Sequence, residues 1–174
     1  MDPKINIAII VALISAVITT AGWLVSHLLE QKRSQKTRAQ EARIAFKQRQ
    51  IEEFYGPLSN LAIQIVVTNH VLFGLLHSKP DERSKIEEVF YFEYFQPLHK
   101  EARNLIKTKL HLVEGKRLPE SFYQYLTASI QEEMQRHLWK DHGLDTKEVK
   151  GKPYPDSFTA DVQQELEKLM AENE

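Results

Sequence analysis

The chain has 174 residues, the length of one ordinary domain, and its 6 Gly and 7 Pro are too few for a collagen-like or linker-like protein. It has no Cys, which excludes a disulfide scaffold, a Cys-ligated zinc site and thiol chemistry. The 23 Lys and Arg nearly balance the 24 Asp and Glu, but they are distributed unevenly. Residues 5–29 are uncharged, residues 30–50 carry a net charge of +5, and residues 51–174 carry a net charge of −6.

The uncharged segment runs from Ile5 to Leu29. As an α-helix rising about 1.5 Å per residue it would extend about 37 Å, enough to cross a hydrocarbon core of about 30 Å. A cleaved signal peptide is the competing interpretation, but it would need a basic start and an apolar core of roughly 7–15 residues. We therefore predict a retained transmembrane helix at 5–29, preceded by a short extracytoplasmic N-terminus at 1–4.

Basic residues follow this segment, whereas only Lys4 precedes it. The positive-inside bias then predicts a single-pass protein of the inner (plasma) membrane, with the N-terminus outside and the C-terminal domain in the cytoplasm. The same residues could bind anionic lipid head groups or serve only to set the topology. Nucleic-acid binding is disfavoured because the rest of the chain is acidic. The residues assigned to topology or the membrane surface are Lys32, Arg33, Lys36, Arg38 and Arg43.

Small residues recur every four positions within the predicted span, at Ala8, Ala12, Ala16 and Thr20. Side chains of this size let two helix backbones approach closely in lipid, where packing drives association. The pattern therefore predicts self-association into a homo-oligomer through this face. The alternative is that small residues here reflect ordinary composition.

Residues 30–55 contain good helix formers and no Gly or Pro, so we predict that the membrane helix continues into a basic juxtamembrane stalk. Residues 56–174 are predicted to form a cytoplasmic bundle of about four to five helices, because their apolar residues recur at helical spacing. The predicted fold class is all-α. Gly56-Pro57 is expected to stop one helix and start the next.

Segment 57–78 is apolar on nearly every side if it is helical. Such a helix is either the centre of a bundle or a second membrane span. Gln64, Asn69 and His70 interrupt the apolar run at a depth where polar groups are costly in lipid. We therefore expect a buried central helix with Leu72 in the core. A second span is the alternative, and it would place the rest of the chain across the membrane.

Capping residues and helix breakers predict where the later helices begin and end. Ser84-Lys85-Ile86-Glu87 matches a capping box that would open a helix bent at Pro97. No internal repeat is evident. The other predicted elements are a loop at 115–118, a helix from Pro119 to His142 ending at Gly143, a loop at 144–155, and a last helix capped by Asp156 or Ser157.

Five aromatic residues fall within six positions of the predicted helix before Pro97. An aromatic cluster of this kind can form a ligand pocket or a partner groove, although it can also be ordinary core. The candidate pocket or partner residues are Phe90, Tyr91, Phe92, Tyr94 and Phe95.

No phosphate-binding loop, zinc-protease, nucleophile-elbow or dinucleotide-binding motif is present in the sequence. Glu133, His137 and Asp141 share one helix face and could act as metal ligands or as a carboxylate–imidazole pair. Charged residues at that spacing are also typical of a solvated helix face. We therefore predict no catalytic, cofactor-binding or metal site, and no enzyme activity.

Two functional hypotheses follow. The first is a membrane-anchored interaction or scaffold module that presents its cytoplasmic domain to a protein partner. The second is a membrane-acting effector, of the toxin or phage-defence type, that oligomerises and permeabilises the bilayer. The layout is typical of small bacterial inner-membrane proteins, but architecture alone does not fix function.

Overall fold

A computed structural model describes the backbone of residues 3–114, 118–146 and 149–172, with side chains from residue 15 onward except at position 17. Every regular element in these ranges is helical, which confirms the predicted all-α class. The chain divides into two compact units, residues 1–45 and residues 46–174.

The first helix, α1 (Pro3–Gln50), contains both the predicted span and most of the predicted stalk. Its continuity confirms that the apolar helix runs into the basic segment without a break. The large apolar side chains in the described part of the predicted span are exposed, and lipid or a packed helix would cover such a surface. They are Ile18, Trp23, Leu24, Val25, Leu28 and Leu29.

The chain does not stop at Gly56-Pro57. Instead α1 widens into one π-helical turn (Ile51–Tyr55) and continues as α2 (Gly56–Ser78). Pro57 lacks an N–H group and its ring would clash with the carbonyl four residues earlier in an α-helix, so the wider turn keeps the chain helical. The N–H of Gly56 donates to the Ile51 carbonyl, and a Cβ at Gly56 would lie 2.7 Å from that oxygen.

The same arrangement recurs before the second internal proline. Helix α3 (Arg83–Phe90) passes through a π-helical turn (Tyr91–Phe95) into α4 (Gln96–Lys109), so Pro97 lies in the first turn of α4. The N–H of Gln96 donates to the Tyr91 carbonyl, as Gly56 does to Ile51. Both turns share the pattern Glu-aromatic-aromatic-x-Pro-Leu, at 53–58 and 93–98. This is a local repeat that the sequence analysis overlooked.

The predicted capping box is wrong. A 3₁₀ turn (Pro80–Glu82) runs directly into α3, so Ser84 is the second residue of the helix and Glu82 is its N-cap residue. The Arg83 N–H donates to the Pro80 carbonyl. The 3₁₀ turn therefore supplies backbone acceptors at the helix start, and no side chain makes a capping hydrogen bond there.

Two further helices complete the body. After a 3₁₀ turn (Leu110–Leu112), α5 (Glu120–His142) ends at Gly143, whose φ of 63° is left-handed, and the chain later forms α6 (Phe158–Ala171). The end of α5 at Gly143 and the start of α6 after Ser157 confirm the predicted helix bounds, but no side chain makes a capping hydrogen bond at the start of α6. Most of the predicted loop at 115–118 lies outside the described residues.

The core of the second unit surrounds Phe122, whose ring centroid lies 6.2 Å from that of Phe54 and 5.2 Å from that of Phe158. Leu58 and Val162 are fully buried beside them. The Gln50 side-chain amide donates to the Leu112 carbonyl at 2.6 Å. This hydrogen bond ties the end of α1 to the turn after α4.

The prediction that α2 is a buried central helix is wrong beyond its first turns. Its buried residues all lie between Leu58 and Ala62, whereas residues 63–78 are half-buried or exposed. Leu72 is half-buried. Within the described chain, the helical stretch Ile18–Ser78 is long and apolar enough to cross a membrane by length and composition, and only 11% of its most apolar part is buried.

Candidate functional site

Helices α2 to α6 and the segment before α6 line a half-open cavity of about 490 Å³ in the second unit. Six of its lining residues carry aromatic rings, and they come from one π-helical turn, three helices and the loop before α6. These residues are Tyr91, Phe95, His99, Tyr125, Tyr154 and Phe158.

His99 is packed between these rings. Its ring stacks on Tyr154 with centroids 4.8 Å apart and on Phe95 with centroids 6.1 Å apart. The side chain is only 5% exposed, and burial, with a smaller contribution from the positive charge of Arg103, lowers the pKa of His99 to about 4. The imidazole is therefore neutral near pH 7.

The hydrogen bond of His99 fixes its tautomer. Its Nδ1 lies 2.8 Å from the Tyr125 hydroxyl oxygen. Burial raises the pKa of Tyr125, so the hydroxyl keeps its proton, and no other described residue accepts it. We infer that Tyr125 donates to Nδ1, which leaves the proton of the neutral imidazole on Nε2. No acceptor for that N–H is present among the described residues.

An acidic wall faces the rings. Glu132 accepts a hydrogen bond from the Tyr154 hydroxyl at 2.9 Å and lies 3.6 Å from a guanidinium nitrogen of Arg136. Arg136 in turn lies 4.9 Å from the centre of the Tyr91 ring. Glu87 and Asp156 also line the cavity, so its wall has three carboxylates and one guanidinium.

The five candidate aromatic residues lie in different surroundings, and only two of them line the cavity. Tyr91 and Phe95 line the cavity, because the π-helical turn directs both of them inward. Phe90 packs against Tyr94 instead, and neither lines this cavity. Phe92 lies beneath the Lys140 ammonium, 3.7 Å from its ring centre.

Glu133, His137 and Asp141 form polar pairs within α5 and with residues of α4. The His137 Nδ1 lies 2.9 Å from an Asp141 carboxylate oxygen, and Glu133 forms an ion pair with Arg103. The side-chain amide of Gln96 donates to the His137 Nε2 at 2.9 Å. In the described part of the chain, no three His, Asp or Glu side chains are grouped so that they could hold a metal ion.

The structure describes the side chains of two of the four predicted membrane-packing residues. Ala16 and Thr20 are exposed on α1, and the Thr20 hydroxyl donates to the Ala16 carbonyl at 2.7 Å. The side chains of Ala8 and Ala12 lie outside the described residues. All five assigned membrane-surface residues are exposed on the same helix: Lys32, Arg33, Lys36, Arg38 and Arg43.

One apolar face of α2 is exposed, contrary to the prediction of a helix that is apolar on nearly every side and buried. Ile63, Val67 and Val71 follow one another at four-residue spacing and are 45%, 55% and 51% exposed. His70 and Gly74 are exposed beside them. The available signal was the charge pattern, because the chain contains no Asp, Glu, Lys or Arg between residues 54 and 78.

No protein-family model matches the chain, and no similar protein was found among curated proteins or solved structures.

Proposed function

We propose that this chain is a membrane-anchored helical interaction module. The helix at 5–29 anchors it in the inner membrane, and the cytoplasmic body associates with protein through the exposed face of α2, defined by Ile63, Val67, His70, Val71 and Gly74. The exposure of this face is the observation that carries the proposal. No reaction is assigned to the chain.

A bare apolar helix face favours association. Contiguous exposed apolar side chains are uncommon on monomers, because covering them releases about 25 cal/mol per Å². The face has no charged residue, so a partner can cover it without desolvating an ion. His70 is the polar exception, and its Nδ1 lies 3.2 Å from the Val66 carbonyl in its own helix.

The occupant we propose is a second copy of this chain. Ile63 and Gly74 lie at opposite ends of the face, equally far from its midpoint between residues 68 and 69. In an antiparallel pair related by a two-fold axis, Ile63 of each copy would face Gly74 of the other, and Val67 would face His70. A Cβ added at Gly74 meets nothing within 4 Å, so the monomer leaves open space for that side chain.

Cysteine cross-linking tests this pairing directly, since the chain has no Cys of its own. We expect a disulfide when full-length Ile63→Cys and Gly74→Cys proteins are mixed in maltoside micelles and oxidised. Ile63→Cys alone is the matched control, because two such residues in the antiparallel pair would lie about 16 Å apart along the helices.

Gly74→Leu, introduced into the Ile63→Cys protein, should abolish its cross-linking to the Gly74→Cys protein, and Gly74→Leu alone should shift the protein toward the monomer in sedimentation. It should still fold, because leucine is a better helix former than glycine and the position is open. Efficient cross-linking of Ile63→Cys to itself would overturn the antiparallel pair. A monomer that instead captures the helix of another protein would overturn the second copy as the occupant.

The orientation of the module is testable with C-terminal fusions. The basic residues after the span support an N-terminus outside and a body inside. We expect an alkaline phosphatase fusion at the C-terminus to be inactive and a fluorescent-protein fusion to be bright. An active phosphatase fusion would overturn the cytoplasmic location.

The second candidate is a membrane-acting effector, and the apolar, exposed α2 is the observation that favours it. In this case α2 would contact lipid instead of a second copy. Loss of membrane potential on expression would favour the effector. The polar side of the span formed by Ser15, Thr19 and Thr20 could line a narrow pore, and the hydroxyls of Thr19 and Thr20 donate to carbonyls of their own helix at 2.8 Å and 2.7 Å.

A further inference from the structure

The ring-lined cavity provides a surface of the kind that holds an organic cation. Tyr91, Tyr125 and Tyr154 line one space, and aromatic rings attract cations through their quadrupoles. At the cavity wall, the Arg136 guanidinium already makes such a contact with the Tyr91 ring. The cavity therefore has the chemistry for a second positive group.

The charge of the wall favours a cation over an anion. Glu87, Glu132 and Asp156 outnumber Arg136, although Glu87 also pairs with the exposed Arg83 at 2.8 Å. Burial is the main cause of the raised pKa values of Tyr91 and Tyr154, and the negative charge of Glu132 is the next cause for both. The negative charge of Glu132 thus acts on the hydroxyl groups of Tyr91 and Tyr154, whereas the charge that acts on the Tyr125 hydroxyl is the positive charge of Arg103.

The His99 imidazole also offers a hydrogen-bond donor to a ligand in the cavity. The Nε2–H of His99 has no acceptor among the described residues, and the side chain lines the cavity. Among the described residues, only Gln50 Oε1 and Ser121 Oγ are fully buried without a hydrogen-bond partner, so this N–H is open to the cavity, and a ligand that supplies an oxygen acceptor can take the place of water there.

We propose that this cavity binds a small organic ammonium ion that also carries a hydrogen-bond acceptor oxygen. The ammonium group lies among the tyrosine rings and Glu132, and the oxygen accepts from the Nε2–H of His99. A volume of about 490 Å³ is within the range of small-molecule sites. The site does not require association through α2.

Choline and its neutral carbon isostere, 3,3-dimethylbutan-1-ol, are the probes. Both have the hydroxyl oxygen and nearly the same shape, but only choline carries a charge. We expect saturable binding of choline to the full-length protein in maltoside micelles, by saturation-transfer NMR and calorimetry, about tenfold tighter than the isostere. Phosphocholine detergents are avoided because they would compete for the site.

Three variants assign the contacts. Glu132→Gln keeps the shape and an acceptor for the Tyr154 hydroxyl but removes the charge, and it should weaken choline binding about fivefold without changing binding of the isostere. Tyr154→Leu should weaken choline binding by a similar factor, whereas Tyr154→Phe, which keeps the ring, should not. Glu120→Gln is the matched control, because Glu120 is exposed at the start of α5 and lies outside the cavity.

The proposal fails if choline shows no saturable binding, if the neutral isostere binds equally well, or if Glu132→Gln and Glu120→Gln have the same effect. The variants remain interpretable because near-ultraviolet circular dichroism reports whether the tyrosine packing is intact in each of them.

Discussion

Leu58→Asp is expected to unfold the domain formed by residues 46–174. Leu58 is fully buried in the core, so the substitution removes a packed side chain, at about 2–5 kcal/mol, and places a carboxylate among apolar neighbours. Domains of this size are stable by only about 5–15 kcal/mol. We expect the near-ultraviolet circular dichroism of the body and its cooperative thermal transition to be lost.

Leu72→Asp is the matched control on the same helix. The sequence analysis placed Leu72 in the core, but the structure places it half-buried on the cavity wall, where water can reach a carboxylate. We expect this variant to remain folded with a loss of about 1–2 kcal/mol. Equal unfolding by the two substitutions would contradict the observed burial and restore the central-helix prediction.

Acidification should weaken the same domain through His99. The folded pKa of about 4 lies below the ordinary value of 6.5, so the unfolded chain binds more protons in this interval and stability falls as the pH falls. The contribution of His99 is complete above about pH 6.5 and is lost as the pH approaches 4, with a total of roughly 3 kcal/mol. Urea unfolding between pH 7 and pH 4, followed by near-ultraviolet circular dichroism, measures it.

Carboxylates also titrate in this interval. Comparing the pH dependence of unfolding of the parent protein with that of His99→Gln therefore isolates the contribution of the imidazole. Glutamine does not titrate, and the variant should lose less stability than the parent between pH 7 and pH 4. Parallel pH profiles for the two proteins would show that His99 is not buried in the neutral form.

Much of the fold could be predicted because its signals are local. The uncharged run at 5–29 and the apolar spacing of α5 and α6 depend on neighbours within a few residues, so period and composition suffice. The end of α5 was equally accessible, since Gly143 takes a left-handed conformation that glycine adopts without strain.

The predictions that were wrong concern features that depend on how the whole domain packs. Proline usually interrupts a helix, and the sequence contains no direct sign that a wider turn would accommodate Pro57 and Pro97. Burial of α2 depended on how many helices pack around it, and apolar composition cannot distinguish a covered face from an exposed one.

The cavity could be predicted only in part. Tyr91 and Phe95 belong to a visible aromatic cluster, but His99 and Tyr125 are separated by 26 positions and meet only because α4 packs against α5. Tyr154 lies in a segment predicted to be a loop, where nothing indicated that its ring would stack on His99.

The two π-helical turns each contain one residue more than an α-helix would use, and that surplus residue has a mechanical meaning. In a uniform helix such a surplus can move along the chain one hydrogen bond at a time, turning each residue it passes by about 100°. Here each π-helical turn ends two residues before a proline. Because proline has no N–H group to donate, the surplus residue cannot move past it. Pro57 and Pro97 therefore fix the position of each π-helical turn. The faces of α2 and α4 keep their orientation because of two residues that have no polar side-chain group.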